Sequence, residues 1–260
     1  MTESQKTYHS EEVKTDKQVI LEINDLHKSF GDNHVLNGFN MKLFKGESLV
    51  IMGKSGSGKS VMIKCMVGLM TPDKGRVNIM GKSILDLGQA ELDQLRADIG
   101  FLFQGSALYD SMTVRENLEF PLRRHMDRFD SDLNTEELVI EALENVGLAD
   151  TVDLMPSELS GGMQRRVALA RTLILRPKII LYDEPTSGLD PITAKEIIIL
   201  MQNIQEKYGT SSIIITHDVD CARVVGDRMI LLIDGINYKA GHFKELSLSE
   251  DPKIKAFFKQ

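Results

Sequence analysis

Residues 48–60 have the sequence SLVIMGKSGSGKS, the most informative stretch of this chain. The run Ser48–Met52 is short and largely apolar, which predicts a buried β-strand. The next eight residues fit the pattern GxxxxGK(S/T) and lead into residues 59–69, whose apolar residues predict a helix. This pattern binds phosphate when its loop joins a strand to a helix, so the stretch indicates an α/β fold with a phosphate site.

Each part of this loop can contact a phosphate in its own way. The glycines allow backbone N–H groups to curl around a phosphate, and the helix N-terminus adds a partial positive charge. Lys59 can reach the β- and γ-phosphates of a nucleotide, and the Ser60 hydroxyl can ligate Mg²⁺. The alternative is a glycine-rich turn that matches by chance, and the flanking strand and helix argue against it. The expected binding residues are Gly53, Lys54, Ser55, Gly56, Ser57, Gly58, Lys59 and Ser60.

Strands and helices alternate along most of the remaining chain, which favours a mainly parallel sheet with helices on both faces. Besides Ser48–Met52, strands are predicted at 19–23, 38–45, 99–103, 178–182, 211–216 and 228–233. Further helices are predicted at 193–208 and 219–225, and a turn at 72–75. From 113 to 176 the pattern is helical, with breaks expected near Pro121 and Pro156. This mostly helical insert, about 105–176, is expected to form a lobe of its own.

The composition limits the class of protein. The chain has 260 residues, a net charge of −7 and 42% hydrophobic residues, so it is an ordinary globular sequence with an acidic balance that argues against nucleic-acid binding. Its two cysteines, Cys65 and Cys221, have no zinc-type spacing, and no apolar run approaches the roughly 20 residues of a membrane span. Residues 1–18 are polar and are expected to be a mobile tail. We therefore expect a cytoplasmic protein that meets a membrane only through partners.

Two acidic residues follow the apolar run at 179–182. At the end of this predicted strand, Asp183 would hold Mg²⁺ through water, and Glu184 would polarise the water that attacks the γ-phosphate. The alternative is a solvated acidic strand end, and the phosphate loop in the same chain favours the catalytic role.

The run LSGGMQ at residues 159–164 precedes an apolar, helix-compatible segment at 167–175. Backbone N–H groups, the Ser160 hydroxyl and the helix dipole would form a second anion site there. One chain then carries two half-sites for a triphosphate, about a hundred residues apart. This run resembles the ABC signature, and residues 19–257 look like the ATPase subunit of an ABC machine.

Other landmarks occur in the order that the ABC family has. Gln104 lies where the family has its Q-loop, and Asp190 ends the D-loop-like run SGLD. His217 follows a predicted strand as the family's switch histidine does. Because parallel strands end at one edge, we expect it to hold the γ-phosphate and water rather than act as a polar cap. Phe30, in place of the commoner tyrosine, lies where an aromatic ring stacks on adenine, and Met163 is a departure that precedes the signature Gln164.

The resemblance implies a P-loop NTPase (RecA-like) core with a mainly parallel sheet, an N-terminal antiparallel β portion and an inserted helical subdomain at about 105–176. It implies ATP and Mg²⁺ as ligands. The implied catalytic residues are Glu184, His217 and Gln104, and the implied metal ligands are Ser60, Gln104 and Asp183. The implied nucleotide contacts beyond the phosphate loop are Phe30, Ser160, Gly161, Gly162, Gln164 and Asp190.

In the ABC family two copies pack head to tail, so each ATP lies between the Lys59 loop of one chain and the Ser160 loop of the other. The resemblance therefore implies a homodimer with ATP in its interface, which loosens when the γ-phosphate is lost. Two neighbouring arginines, Arg165 and Arg166, are expected to be surface or interface charges. Tyr182 and both cysteines are expected to be packing residues.

Several blocks are similar to the ATPase subunits of bacterial Mla-type phospholipid transporters. They lie at 101–110, 113–123, 155–160, 216–219 and 251–257. This similarity implies an MlaE-like permease, an MCE-domain lipid carrier and a place on the inner face of the inner membrane, in a system linked to outer-membrane lipid asymmetry. Residues 105–123 mix Leu108, Tyr109 and Met112 with charges, as a groove for a permease helix would. Ordinary lobe packing is the alternative.

Other functions stay open at this point. The chain could serve another ABC importer or exporter. A soluble ABC ATPase acting on DNA or ribosomes would usually carry two cassettes, coiled coils or basic arms, and none is visible. A P-loop kinase would need an acceptor site and would not need residues 159–164.

Overall fold

The computed structural model describes residues 17–129 and 134–258, so the predicted tail at 1–18 lies outside the described residues except for Lys17 and Gln18. The strands are β1 (Val19–Phe30), β2 (Asn33–Phe44), β3 (Ser48–Met52), β4 (Lys74–Ile79), β5 (Lys82–Ser83), β6 (Ile99–Leu102), β7 (Ile179–Asp183), β8 (Ser211–Ile215), β9 (Arg228–Ile233) and β10 (Ile236–Gly241). The α-helices are α1 (Lys59–Met66), α2 (Gln89–Ala97), α3 (Val114–Arg124), α4 (Thr135–Glu144), α5 (Gly161–Leu173), α6 (Pro191–Tyr208), α7 (Val219–Val225), α8 (Phe243–Ser247) and α9 (Pro252–Phe258). Short 3₁₀ turns lie at Met126–Arg128, Ala149–Thr151 and Pro156–Glu158.

The strands form two sheets. One has the order β2-β1-β4-β5 and is antiparallel, and the other has the order β10-β9-β3-β8-β7-β6. In the second sheet all neighbours are parallel except β10, which pairs antiparallel with β9. The predicted architecture, a mainly parallel sheet with an N-terminal antiparallel portion, is confirmed.

The central strands are buried on both faces, which explains their nearly continuous apolar sequences. All five residues of β3 and of β8 are buried. Successive residues point to opposite faces, so Val50 and Met52 lie in one apolar cluster, and Leu49 and Ile51 lie in another. Helices α3–α7 cover the first face, while α1 and the antiparallel sheet cover the second. The helices of the 105–176 insert thus share an apolar cluster with the central sheet.

Several predicted elements differ from the structure. The helix expected at 59–69 ends at Met66, because Gly68 has a positive φ of 69°. The predicted turn at 72–75 overlaps the start of β4. The expected break near Pro121 is wrong, because α3 continues through this proline to Arg124. The missing proline N–H costs one helical hydrogen bond, and the fully buried Leu118 and Leu122 on either side hold the helix against the core.

The predicted break near Pro156 and the predicted packing of Tyr182 and the two cysteines agree with the structure. A 3₁₀ turn begins at Pro156, as the predicted break requires. Tyr182, Cys65 and Cys221 are buried, and burial raises the thiol pKa of Cys65 to about 11 and that of Cys221 to about 12. Among the helices of the described residues, none is long and apolar enough to cross a bilayer.

Candidate active site

Four neighbouring parallel strands end at one edge of the central sheet and place most of the predicted residues there. The phosphate loop follows β3, and His217 lies two residues after the end of β8. Asp183 is the last residue of β7, with Glu184 next, and Gln104 lies two residues after β6. Since β3, β8, β7 and β6 are consecutive neighbours in the sheet, these side chains converge on one edge.

The phosphate loop requires glycine where it meets the antiparallel sheet. Gly58 immediately precedes α1 and has a φ of 99°, a conformation that other residues rarely adopt. A Cβ atom there would lie 3.0 Å from the backbone oxygen of Val35 in β2. The hairpin of β1 and β2 therefore contacts the loop and supports the start of α1.

Lys59 lies across this loop. Its Nζ donates hydrogen bonds to the carbonyl oxygens of Gly53 at 2.6 Å and Lys54 at 3.1 Å. Burial lowers the pKa of Lys59, while the nearby carboxylates of Glu184 and Asp183 act to raise it. The ammonium group is therefore held at the loop beside two acidic residues.

Two features fit a bound nucleotide phosphate and its cation. The Ser57 hydroxyl is buried and has no hydrogen-bond partner among the described residues, so a phosphate oxygen could accept its hydrogen. Burial, followed by the neighbouring Glu184 charge, raises the pKa of Asp183 against the effect of Lys59. A cation would relieve this crowding of negative charge. Ser60 and Gln104 add hydroxyl and amide oxygens, and an all-oxygen donor set suits Mg²⁺.

Glu184 is held in a defined position at the end of β7. Its φ is 49°, a left-handed conformation that costs about 1–3 kcal/mol in a non-glycine residue. Its N–H donates to the carbonyl oxygen of Ile215 in β8 at 2.8 Å. Its carboxylate Oε2 lies 2.8 Å from Nδ1 of His217 and accepts the backbone N–H of His217 at 3.4 Å. The predicted base and the predicted switch histidine are thus in direct contact.

The loop after β6 meets the loop after β7. Nε2 of Gln104 donates to the hydroxyl of Ser187 at 3.2 Å, so its amide oxygen is the atom left for a cation. Asp190 caps α6 by accepting the backbone N–H groups of Ile192 and Thr193 at 3.0 and 3.1 Å. Hydrogen bonds from Thr193 are the main reason that the pKa of Asp190 is lowered. The carboxylate of Asp190 is therefore engaged by its own helix.

The signature residues form the start of α5. Ser160 caps this helix by accepting the N–H of Met163 at 3.2 Å, and Gly161 has open space around it. A Cβ atom on Gly162 would lie 2.5 Å from Cγ2 of Thr193, so the first turns of α5 and α6 are in close contact.

The amide of Gln164 serves the loop before the signature. Its Nε2 donates to the carbonyl oxygens of Pro156 at 2.9 Å and Leu159 at 3.3 Å. Within the described residues no hydrogen bond joins residues 159–164 to the phosphate loop. The side chains of Ser160 and Gln164 instead bond within α5 and to the turn and loop before it.

Phe30 ends β1 and is 49% exposed, so its ring is accessible from solvent. Nζ of Lys28 lies 5.7 Å from the centre of this ring and is paired with Asp73 at 2.8 Å. The same hairpin contacts the phosphate loop at Gly58 through Val35, five residues after Phe30.

One prediction about the arginines is wrong. Arg165 is only 4% exposed, and its guanidinium group donates to the carbonyl oxygens of Phe103 at 2.7 Å and Ser187 at 3.4 Å. Arg166, in contrast, is partly exposed and pairs with Glu196. The spacing of 165 to the buried residues 168, 169 and 172 places Arg165 on the inner face of α5, and this periodicity was the signal available in the sequence.

A groove lies beside the active-site edge. This open groove has a volume of about 440 Å³ and is lined mainly by β6, the loop after it, α3 and α5. Exposed aromatic rings line it, and those of Tyr109 and Phe120 are 4.9 Å apart. Leu108, by contrast, packs against the core cluster.

Comparison with known proteins identifies a family and several relatives of this chain. A family model described as "ABC transporter" matches residues 36–187. The chain is 38% identical to "Protein TRIGALACTOSYLDIACYLGLYCEROL 3, chloroplastic" of Arabidopsis thaliana, covering 94% of this chain and 75% of that protein. It is 38% identical to "Methionine import ATP-binding protein MetN" of Clostridium tetani, with 93% and 75% covered. It is 35% identical to "Intermembrane phospholipid transport system ATP-binding protein MlaF" of Haemophilus influenzae, with 93% and 91% covered.

A solved structure is similar as well. It is the dimeric post-hydrolysis state of the ATP-binding cassette MJ0796 bound to ADP and Pi. The TM-score is 0.76 at 35% identity, over 86% of this chain and 98% of the other.

Proposed function

Because the chain belongs to the ABC transporter family and is an ATP-hydrolysing subunit, we propose that it powers phospholipid transport through a separate membrane permease. The observation that carries the proposal is the similarity to MlaF, which extends over 93% of this chain and 91% of that protein. The alternative is the ATPase of a different ABC importer or exporter, and the 38% identity to MetN is the observation that favours an importer as that alternative.

The described residues suit ATP hydrolysis at the edge of the central sheet. We propose that the loop N–H groups and Lys59 bind the phosphates, while Phe30 stacks on the base. Glu184 orients and polarises the attacking water, and His217 holds the carboxylate of Glu184 in place. Mg²⁺, when bound by Ser60, Gln104 and Asp183, would offset the charge of the β- and γ-phosphates.

The second half-site is proposed to act on the partner's nucleotide. The signature residues cap α5, which packs on α3, α4, α6 and β6, whereas α1 packs on β2. Two copies arranged head to tail would bring the half-sites together. The MJ0796 cassette, 35% identical, is dimeric with ADP and Pi bound, which supports this arrangement. Residues 19–257 would form the ATPase domain, with 105–176 as its helical subdomain.

A Ser160→Arg variant should damage the partner's site rather than its own. We expect Ser160→Arg chains alone and Lys59→Ala chains alone to be inactive, because both composite sites that two identical chains could form would carry one lesion. A mixed dimer would carry both lesions in one site and none in the other, so mixing should restore ATPase activity that neither parent shows. Phosphate release from purified mixed dimers measures this. If mixing restores nothing although mixed dimers form, the head-to-tail arrangement is wrong.

The groove lined by Tyr109 and Phe120 is proposed to receive a cytoplasmic helix of the permease. The exposed rings of the groove support this role. The loop that lines the groove follows directly after Gln104, so a bound helix would contact the loop that leads to the active site. The chain would then lie on the inner face of the inner membrane, bound to an MlaE-like permease that works with an MCE-domain lipid carrier.

A Tyr109→Ala, Phe120→Ala double variant tests the groove. Aromatic anchors of this kind are worth about 2 kcal/mol or more each, so we expect permease recovery to fall roughly tenfold or more. The ATPase activity of the free subunit should change little, because neither ring packs in the core. The control is Leu248→Ala, because Leu248 is 71% exposed and lies after α8, away from the groove-lining residues in the sequence. Equal permease recovery by the double variant and the control would rule out this docking site.

The lipid assignment needs a separate experiment. The tagged wild-type chain would be purified from detergent-extracted membranes, and its partners and lipids identified by mass spectrometry. We expect an MlaE-like permease, an MCE-domain protein and phospholipid above the level found with a tag-only control. A permease for amino acids without phospholipid enrichment would refute lipid transport and leave the ATPase activity unaffected.

A further inference from the structure

Arg165 is a buried cation for which no carboxylate partner exists among the described residues. Its side chain lies on the inner face of α5, and burial lowers the pKa of its guanidinium group. Its Nε–H is also buried without an acceptor in the described part of the chain. An unpaired buried charge and an unsatisfied donor both reduce stability. A residue that served packing alone would be better replaced by an apolar side chain.

The two hydrogen bonds of Arg165 connect two loops of the active site. Nη1 donates at 2.7 Å to the carbonyl oxygen of Phe103, the residue before Gln104. Nη2 donates at 3.4 Å to the carbonyl oxygen of Ser187, whose hydroxyl accepts Nε2 of Gln104 at 3.2 Å. These contacts form a closed polar triangle of α5, the loop after β6 and the loop after β7.

We propose that Arg165 is a positioning residue that holds Gln104 against the loop at 184–190, so that movement of the signature helix changes the hydrolysis site. The physical basis is the rigidity of α5, which has Ser160 at its N-terminal cap and Arg165 a little over one turn later. A force on Ser160 displaces Arg165, and the hydrogen bonds of the polar triangle transmit that displacement to Gln104 and Ser187. This inference rests on the role proposed above for Gln104.

Other contacts show why Arg165 can be tested without unfolding the region. Arg171 Nη2 donates to the carbonyl oxygen of Ser106 at 3.1 Å, and the Thr172 hydroxyl lies between the carbonyl oxygens of Phe101 at 3.2 Å and Ala168 at 2.8 Å. Helix α5 therefore remains bonded to residues 101–106 when Arg165 is replaced. Of these three side chains, Arg165 is the one that also reaches the loop at Ser187.

The first experiment replaces the guanidinium group and measures kinetics and stability together. Arg165→Met keeps much of the side-chain length and removes all donors. We expect kcat for ATP to fall about 10- to 100-fold through misplacement of Gln104, with little change in KM or Tm. Arg165→Lys, which keeps the charge but lacks the planar fork, should recover part of the loss. The control is Arg176→Met, which removes an exposed guanidinium group paired with Glu141 beyond the end of the same helix.

The second experiment tests whether Arg165 acts through Gln104. Gln104→Ala alone should lower kcat, and adding Arg165→Met to it should cause little further loss, because coupled residues are not additive. The inference would be overturned if the two substitutions lowered kcat by factors that multiply in the double variant. It would also be overturned if Arg165→Met had a normal kcat, or if a lowered Tm accounted for its lost activity. A Gln104→Ala variant with normal activity would refute the proposed role of Gln104 itself. This result is distinguishable from a failure of the Arg165 inference, because it is measured with Arg165 unchanged.

Discussion

Replacing Glu184 with glutamine should lower ATP turnover by ~10²-fold or more while ATP binding is retained. Glutamine has almost the same size and can still bond to His217, but it lacks the negative charge that polarises water. Glu184 lies at the end of β7 in a conformation set by its bond to Ile215 of β8, so the substitution should not disturb the strand. Because hydrolysis is slowed and binding is not, a nucleotide-bound dimer should accumulate.

Size-exclusion chromatography with Mg-ATP, combined with phosphate release, measures both consequences. The matched control is Glu137→Gln, which makes the same chemical change at an exposed position of α4. A Glu184→Gln variant that remains monomeric and hydrolyses ATP at the wild-type rate would remove Glu184 from the mechanism.

Replacing Lys59 with alanine should have a larger effect, with loss of both ATP binding and hydrolysis. Its ammonium group is held over the loop by the carbonyl oxygens of Gly53 and Lys54, ready to bond phosphate oxygens. We expect hydrolysis to fall by about 10³-fold or more, since the phosphates lose their fixed positive charge. Unlike Glu184→Gln, this variant should not accumulate as a nucleotide-bound dimer.

Fluorescent-nucleotide titration and phosphate release test this expectation. Lys64→Ala is the matched control, because Lys64 lies in the last turn of the same helix and is exposed. Normal nucleotide affinity in Lys59→Ala would mean that the loop does not bind the phosphates as proposed.

The predicted fold agrees best with the structure where strands are buried on both faces. Ser48–Met52 and Arg228–Ile233 were predicted with their observed bounds, because continuous apolar runs identify such strands directly. The strand Lys74–Ile79 was missed, since its first half is largely exposed and begins with Lys74 and Gly75. The break near Pro121 was wrongly predicted because the lost helical hydrogen bond is a local effect, which the sequence shows. The burial of the residues around Pro121 depends on the folded core, which the sequence does not show.

The candidate site shows a similar division. The phosphate loop and the acidic strand end were predictable, because each is a contiguous motif in a recognisable context. The hydrogen bonds of Gln164 to Pro156 and Leu159 were not predictable, since residue spacing does not show which nearby carbonyl groups will bond to a side-chain amide. Arg165 shows the same limit over a longer range, because its acceptors at Phe103 and Ser187 lie in loops far apart in the sequence.

The close approach of Gly162 to Thr193 also has an evolutionary consequence. A Cβ atom on residue 162 would lie 2.5 Å from Cγ2 of Thr193, so an alanine there requires this methyl group to move or residue 193 to become smaller. The two positions lie on different helices, 31 residues apart in the sequence. During divergence of the family, a change at one of them should therefore be accompanied by a change at the other, and lineages that keep a branched residue at 193 should keep glycine at 162.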